Sequence, residues 1–557
     1  MNVNLFLLLM LIPCISVSQN TVSDSTFVHP LNFQAGLSGT FGELRSNHLH
    51  SGLDYRTNEI SGWPVMAIDS GYITRIKISP YGFGKAIYIN HYFNTTSVYA
   101  HLHRFSDYID SLTYDWMQQL KINSIDTILA RGAYPIGRGE LIAYSGNTGS
   151  SQGPHLHFEL RNSQTQIPFN PPSFFQNKRD SISPIIKKLL VYDGFNFNLS
   201  QSRTVTLSTN IQTKEIHYVV DDTLFVNDCF AIGIECYDSA NGYAGVLGIR
   251  ELDLSIDDES VFHVVFDEFS FDESRYANAC MDYELSKKDV YPVYRLHRMP
   301  GNKLSIYRKS PTTGIYCPSD DNEVLPYFIT LIDQNNNRSF LSGWLRLVNE
   351  PSPRMQNTEM IIPNESFERQ INEYSVYFNE QSVYKETPFY FSADSTNGQI
   401  SFQILSEFDA LHKGYTFRSN RPILIEKAGL YGMNNIKTEF LQSLEFDKPI
   451  EFNSTYCGKI ELLIDSLSPE LKNIEVISDT IYNRNFIELV IEDNLSGIEE
   501  ITAYMNNEFV PGYYDLKANS FRIPIMVNSN THVSLSIEVK DRAGNLMKTI
   551  LVVPLKN

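Results

Sequence analysis

The run Gly153-Pro-His-Leu-His-Phe-Glu-Leu160 sets two imidazoles, His155 and His157, two residues apart in a stretch that reads as a strand. Side chains two apart on a strand share a face. His155, His157, Glu159 and Arg161 therefore line one side, and Leu156, Phe158 and Leu160 the other. The apolar side can bury itself. The other presents paired imidazoles, able to bind a metal and to move a proton. About a hundred residues earlier, His50-Ser-Gly-Leu-Asp54 holds an imidazole and a carboxylate four apart around a glycine. That glycine lets the backbone turn tightly, so both groups can converge on one point. Two imidazoles and one carboxylate are a common ligand set for catalytic zinc, with a fourth position left for water. Between the two clusters lies Tyr99-Ala-His101-Leu-His103.

In this order the segments resemble the M23 family (lysostaphin-type, LytM-like) of zinc metallopeptidases, which cleave peptide bridges in peptidoglycan. The family pattern is His-x-Gly-x-Asp, then Tyr-x-His-Leu, then Ser-Gly-x-Thr-Gly followed by Gly-Pro-His-Leu-His. Its counterparts here are His50 to Asp54, Tyr99 to Leu102, Ser145 to Gly149 and Gly153 to His157. Gly82-Phe-Gly84 and Ile87-Tyr-Ile-Asn-His91 also fit the family, and the match covers roughly residues 35 to 175. The resemblance implies one Zn2+ held by His50, Asp54 and His157. It implies that His101 and His155 are the catalytic histidines flanking the bound water and the scissile carbonyl. One would take a proton from water and pass it to the leaving amine; the other would donate to the oxyanion. Which does which stays open. All five positions are filled, whereas relatives that act as binding or activator modules often lose ligands. Latent members also exist, with a segment covering the zinc. Glu159 either orients a histidine or is a satisfied polar residue at a sheet end. His48, His91 and His103 read as structural or solvated, and Gly146, Gly149 and Gly153 as shaping the loop before the last strand.

About 37 residues separate His101 from Gly139, more than the simplest members of that family need. Within them Phe105, Tyr108, Ile109, Leu112, Trp116 and Leu120 recur at helical spacing, which predicts an amphipathic helix over 105–121. It would pack on its own domain, or serve as a cleft wall or docking site. Residues 104–138 and the C-terminal β-domains are the two candidate surfaces for an envelope protein partner.

The chain has 557 residues, with 64 acidic and 45 basic side chains and a net charge of −19. That balance argues against nucleic acid as a partner, and against simple adhesion to anionic wall polymers. The acidic, Asn-, Tyr- and Phe-rich composition resembles secreted proteins of Bacteroidota. Residues 1–18 read as a signal peptide, with Leu5 to Pro13 too short to span a bilayer and Gln19 as the mature start. A lipoprotein anchored at Cys14 is the alternative. No later run is apolar enough for a transmembrane helix. The expected location is exported: periplasm, cell envelope or extracellular. Four cysteines fall between 229 and 317, room for one or two bridges.

A mainly β chain is expected: a lysostaphin-type antiparallel β-sheet peptidase domain over 27–178, then Ig-like β-sandwich domains. The latter divide into 179–349 with an insertion around 268–310, a β-rich unit of uncertain fold over 350–464, and 465–557. Asn349 to Pro353 and Asp465 to Pro469 read as linkers. An internal repeat supports this division. Ser183 to Val191 echoes Ser468 to Val476, Asp238 to Gly242 echoes Asp493 to Gly497, and Asp333 to Asn337 echoes Asp541 to Asn545. The functional expectation is a secreted zinc endopeptidase cutting peptidoglycan peptide stems. Its alternatives are a regulator or scaffold that binds a wall amidase or envelope partner, and a peptidase acting on glycine-rich proteins.

Overall fold

The structure is a computed structural model that describes residues 27–176, 180–194, 199–209, 216–227, 229–288, 291–310, 315–317, 324–348, 359–394, 400–434, 438–526 and 532–555. The signal-peptide reading of 1–18, with Cys14, and the 349–353 linker reading lie outside them. Strands dominate, as expected.

The histidine-bearing sheet contains β1 (Leu37–Gly39), β2 (Leu53–Arg56), β3 (Gly71–Ile78), β4 (Ala86–His91), β5 (Thr95–Ala100), β6 (Ile125–Ile128) and β7 (His155–Asn162). Their spatial order is β1-β2-β7-β5-β4-β3-β6, and two short strands bring the sheet to nine. Neighbours run antiparallel, and β7 is paired on both sides. Its register sets His157 opposite Asp54 on β2 and opposite Ala100 on β5. On its apolar side Leu156, Phe158 and Leu160 are buried, with the Phe158 ring 5.5 Å from Tyr99 and 5.1 Å from Phe175. The imidazole side is buried too, because a loop bearing Phe83 crosses it, with the Phe83 ring 5.1 Å from His157. Period-two alternation alone could not foretell that covering.

The expected helix exists as α1 (Asp107–Leu120), following β5. Asp107 and Asp110 in its first turn complement the helix dipole, and Lys121 ends it in the left-handed region at φ 56°. Its buried face differs from the expected stripe. Ile109, Thr113, Tyr114 and Met117 are buried, whereas Tyr108 and Leu120 are 68% and 65% exposed. Phe105 belongs to the short strand before the helix.

Two sheets, of five and eight strands, follow over 185–348. The larger includes parallel pairings of Ile216–Val219 and Leu224–Asn227 with Arg338–Val348. Among the described residues one disulfide forms, Cys229–Cys317; Cys236, Cys280 and Cys457 are buried thiols. The insertion supplies a 3-10 turn at Ser274–Tyr276 and short helices at Ala277–Cys280 and Tyr283–Lys288. This region shares one continuous apolar core with the histidine-bearing sheet. Phe41, for example, lies 5.2 Å from Phe269. A second core, from Ile361 to Leu462, fills the next pair of sheets. A third, from Ile487 to Val553, lies between the two four-stranded sheets of the C-terminal unit. In that unit His532–Asp541 alternates buried and open positions, the pattern of a sheet with one solvated face.

Candidate active site

Strand register and one glycine bring the metal-type donors together. A Cβ on Gly52 would lie 2.3 Å from the Phe158 carbonyl oxygen, so only glycine lets the His50–Asp54 segment press against β7. The need is close approach rather than the tight turn expected from sequence. His50 Nε2 lies 3.1 Å from Asp54 Oδ1 and 3.1 Å from His157 Nδ1, and His157 Nδ1 lies 2.8 Å from Asp54 Oδ1. One ligand atom from each of the three falls within 4.8 Å of the others. These residues are 2%, 5% and 3% exposed.

The surrounding hydrogen bonds fix which nitrogen is offered. His50 Nδ1 donates to the Thr40 carbonyl at 2.7 Å, which leaves Nε2 bare toward the cluster. His157 Nε2 donates to Glu159 Oε1 at 2.9 Å, which orients Nδ1 inward. Glu159 is fully buried, is held by Arg161 and accepts from Ser51. It therefore orients His157, one of its two open sequence readings. Asp54 Oδ2 is taken by Arg45 at 2.7 Å, so Oδ1 alone faces the imidazoles.

Electrostatics match this arrangement. Burial is the largest influence on His50, and with Arg45 it lowers the imidazole to about 4. Burial also opposes the Asp54 charge, but the Arg45 guanidinium and the His157 hydrogen bond hold it well below the usual range. His157 is raised to about 9, because hydrogen bonds to Asp54 and Glu159 outweigh its burial. Nδ1 must release that proton before it can ligate a metal.

His101 follows β5 directly at φ 57°, a left-handed conformation that non-glycine residues seldom adopt and that gathers at functional sites. Its N–H donates to the Phe83 carbonyl at 2.9 Å, and its Nδ1 donates to the Thr148 carbonyl at 2.8 Å. Nε2 is thereby left as an acceptor. Its ring centroid lies 4.8 Å from that of His155 and 5.8 Å from that of His157. Burial first, then the neighbouring His157 and His155, lower its imidazole to about 3. His155 Nδ1 donates to the Gly153 carbonyl at 2.9 Å and sits 3.2 Å from Ser151 Oγ; its Nε2 lies 3.4 Å from Asp54 Oδ1. All five residues singled out from sequence thus meet in one place.

The other histidines lie apart from this cluster. His91 bonds Ser97 and the Ser70 carbonyl, His48 bonds the Ser46 carbonyl, and His103 pairs with Asp479 at 2.8 Å. Sequence reasoning missed Arg45, Thr40 and Lys517. Lys517 belongs to the C-terminal unit and donates to the carbonyls of Asn147 and Ser151. No local motif marks these residues, because their roles come from contacts between distant segments. Phe83 was visible only as part of the Gly82-Phe-Gly84 match. A cavity of about 530 Å³ lies between the 147–149 loop and the C-terminal unit, lined by Tyr81, His103, Thr148, Tyr513 and Arg522 among others and by none of the five site residues.

Residues 48–171 match the family described as Peptidase family M23. The DD-carboxypeptidase/endopeptidase Mpg of Neisseria meningitidis serogroup B (strain ATCC 13091 / M2091) is 36% identical over 131 residues, 23% of this chain and 24% of that protein. An uncharacterized metalloprotease of Haemophilus influenzae is 28% identical over 138 residues, 24% of each chain. The catalytic domain of the antimicrobial peptidase lysostaphin from Staphylococcus simulans is 26% identical, with 24% of this chain and 84% of that one covered at a TM-score of 0.18. The chain thus spans about a quarter of the length of the curated relatives it matches. Its histidine-bearing region, residues 48–171, is a peptidase family M23 domain.

Proposed function

We propose that this chain is an exported zinc metalloendopeptidase that hydrolyses peptide cross-links of peptidoglycan. The observation that carries the proposal is the convergence of His50 Nε2, Asp54 Oδ1 and His157 Nδ1, flanked by His101 and His155. This donor set fits zinc: two neutral-capable imidazoles and one carboxylate oxygen, each oriented by a second hydrogen bond. Bound there, zinc would polarise the scissile carbonyl and lower the pKa of a water. His50, Asp54 and His157 would hold it. His101, kept neutral by burial, is placed to accept a proton at Nε2 while Thr148 fixes its tautomer. His155 presents Nε2 toward the same point; with Nδ1–H held by the Gly153 carbonyl, it would donate to an oxyanion as the imidazolium, which carries a proton on both nitrogens. The motif resemblance gives the peptidoglycan substrate, and the name DD-carboxypeptidase/endopeptidase of the Neisseria protein supports cleavage of a peptide bond. Action at the cell envelope agrees with that substrate.

The deep burial of His50, His101 and His157 favours a second reading, a latent enzyme or a regulator with its site closed. The test is incubation of full-length protein with cross-linked muropeptides, read by mass spectrometry. Zinc-dependent conversion of dimers to monomers, lost with chelator and in His157→Ala, is expected. No conversion by zinc-loaded protein, with conversion appearing in Phe83→Ala, would favour latency. No conversion by either would overturn the endopeptidase assignment.

A further inference from the structure

Two sets of three aspartates converge at matching places in the internal repeat. Asp180, Asp238 and Asp333 bring their ligand oxygens within 4.8 Å of one another, and so do Asp465, Asp493 and Asp541. In each set the first residue precedes the opening strand, Ile185–Asp193 or Glu470–Asp479. The second lies near the end of Phe230–Ala240, or just past Arg484–Glu492. The third follows Val324–Ile332, or closes His532–Asp541. Even the supporting amide repeats. Asn337 Nδ2 donates to Asp333 Oδ2 at 2.7 Å and to the Asp180 carbonyl at 3.4 Å. Asn545 Nδ2 donates to Asp541 Oδ2 and to the Asp465 carbonyl, each at 2.8 Å.

Hydrogen bonding leaves both clusters incomplete. Asp238 and Asp465 are 2% and 0% exposed, yet Oδ1 of each has no hydrogen-bond partner. Asp493 Oδ1 is also buried without one. The hydroxyl of Tyr431, fully buried, stands unpartnered in the field of Asp465, Asp493 and Asp541. Three carboxylates at this spacing repel strongly when ionised, and buried acceptors without donors are costly. Among the described residues, no lysine or arginine forms an ion pair with any of the six carboxylates. A cation would satisfy both demands at once. All the donors are oxygens, which selects a hard ion over zinc; calcium takes six to eight such ligands, with carbonyls and water completing the shell.

We propose that each aspartate triad is a calcium site, so that the chain binds two calcium ions in addition to its zinc. Their positions give them a mechanical role. Asp180 stands where the peptidase region passes into the next unit. Asp465 stands directly after Gly458–Ile464, where the third unit passes into the C-terminal one. Asp465 to Pro469, read from sequence as a linker, is thus anchored by its first residue. Calcium at these joints would stiffen the attachment of both accessory units.

The experiment measures metal content of the zinc-loaded full chain by mass spectrometry after dialysis against 1 mM Ca2+ with equimolar Mg2+ (a concentration within the range for extracellular modules). Asp238→Asn, Asp465→Asn and the double variant are treated alike. The expected calcium contents are two, one, one and none per chain, with zinc content constant. Wild type should melt several degrees higher with calcium than without, and the double variant should not respond. Asp→Asn keeps shape and removes a repelling charge, so folding without calcium should be retained; a melting curve checks it. Should a variant still fail to fold, the wild-type measurement decides alone. Wild type that retains no calcium and shows no thermal response, or folded variants that retain two ions, would overturn the proposal.

Discussion

The two accessory units that touch the peptidase domain do so in different ways and on different sides of its chemistry. The 185–348 region shares the apolar core of the histidine-bearing sheet and supports the side proposed to hold the metal. Gly248 N–H donates to Thr40 Oγ1, Thr40 in turn accepts from His50, and Leu49 N–H donates to Ser274 of the insertion at 2.8 Å. The C-terminal unit keeps its own core and meets the domain mostly through polar groups. It grips the side proposed for proton transfer. Lys517 holds the carbonyls of Asn147 and Ser151, which bracket Thr148, the partner of His101. Lys85 lies 3.6 Å from the Tyr513 ring centre, Arg104 donates to the Ile481 carbonyl and Arg542 to the Tyr81 hydroxyl. A shared apolar core makes the first unit part of folding. A polar interface resembles those between domains that move relative to one another. Metal retention and proton transfer are therefore separable by mutation.

The largest effect is expected from the shared core. Phe266 is 1% exposed and lies against Gly42, where an added Cβ would meet Phe266 Cβ at 2.4 Å. Phe266→Ala should cost about 3–5 kcal/mol, a typical price for emptying such a site. Thermal melting should show the loss, with zinc content falling alongside. Stability equal to wild type would mean that the two regions fold independently. Next, Glu159→Gln should leave the fold intact and weaken zinc binding about 10–100-fold, measured by competition with a chelator. Lys517→Ala should slow turnover about tenfold by loosening the 147–151 loop, with zinc content unchanged. A drop in zinc content there would break the division between the two sides.

The smallest effect concerns pH at the polar interface. Burial raises Asp479, but the His103 hydrogen bond and charge, with the Tyr482 and Ile481 amides, outweigh it and lower the carboxyl to about 2. Its folded value is depressed below the ordinary 3.8, so its contribution is complete above about pH 4 and is lost as pH falls toward 2. Hydrogen exchange at the 479–486 segment should accelerate over that window, and Asp479→Asn should abolish the change.

Much of the site was legible in sequence because its residues sit in short, spaced motifs. His155 and His157 declare their shared face by alternation, and the glycine between His50 and Asp54 marks a constrained approach. The reason for that glycine was not legible, since the Phe158 carbonyl it accommodates is about a hundred residues away. The existence of α1 followed from periodicity, but its buried face did not. Thr113 and Tyr114 are buried where Leu120 was expected, because contacts of the neighbouring chain decide which flank is covered. Arg45, Thr40 and Lys517 carry no local signature; only tertiary contacts give them roles. The aspartate turns of the repeat were read as loop formers, and that they bring three carboxylates together was visible only in the fold.

The proposed activity depends most directly on the metal centre. Zinc content and X-ray absorption should be measured on the full chain and on His157→Ala, both purified without added calcium. One zinc per chain is predicted, bound only by nitrogen and oxygen at about 2.0–2.2 Å with an imidazole signature, and it should be lost in the variant. A chain that holds no zinc, or a His157→Ala variant that holds it unchanged, would contradict the account.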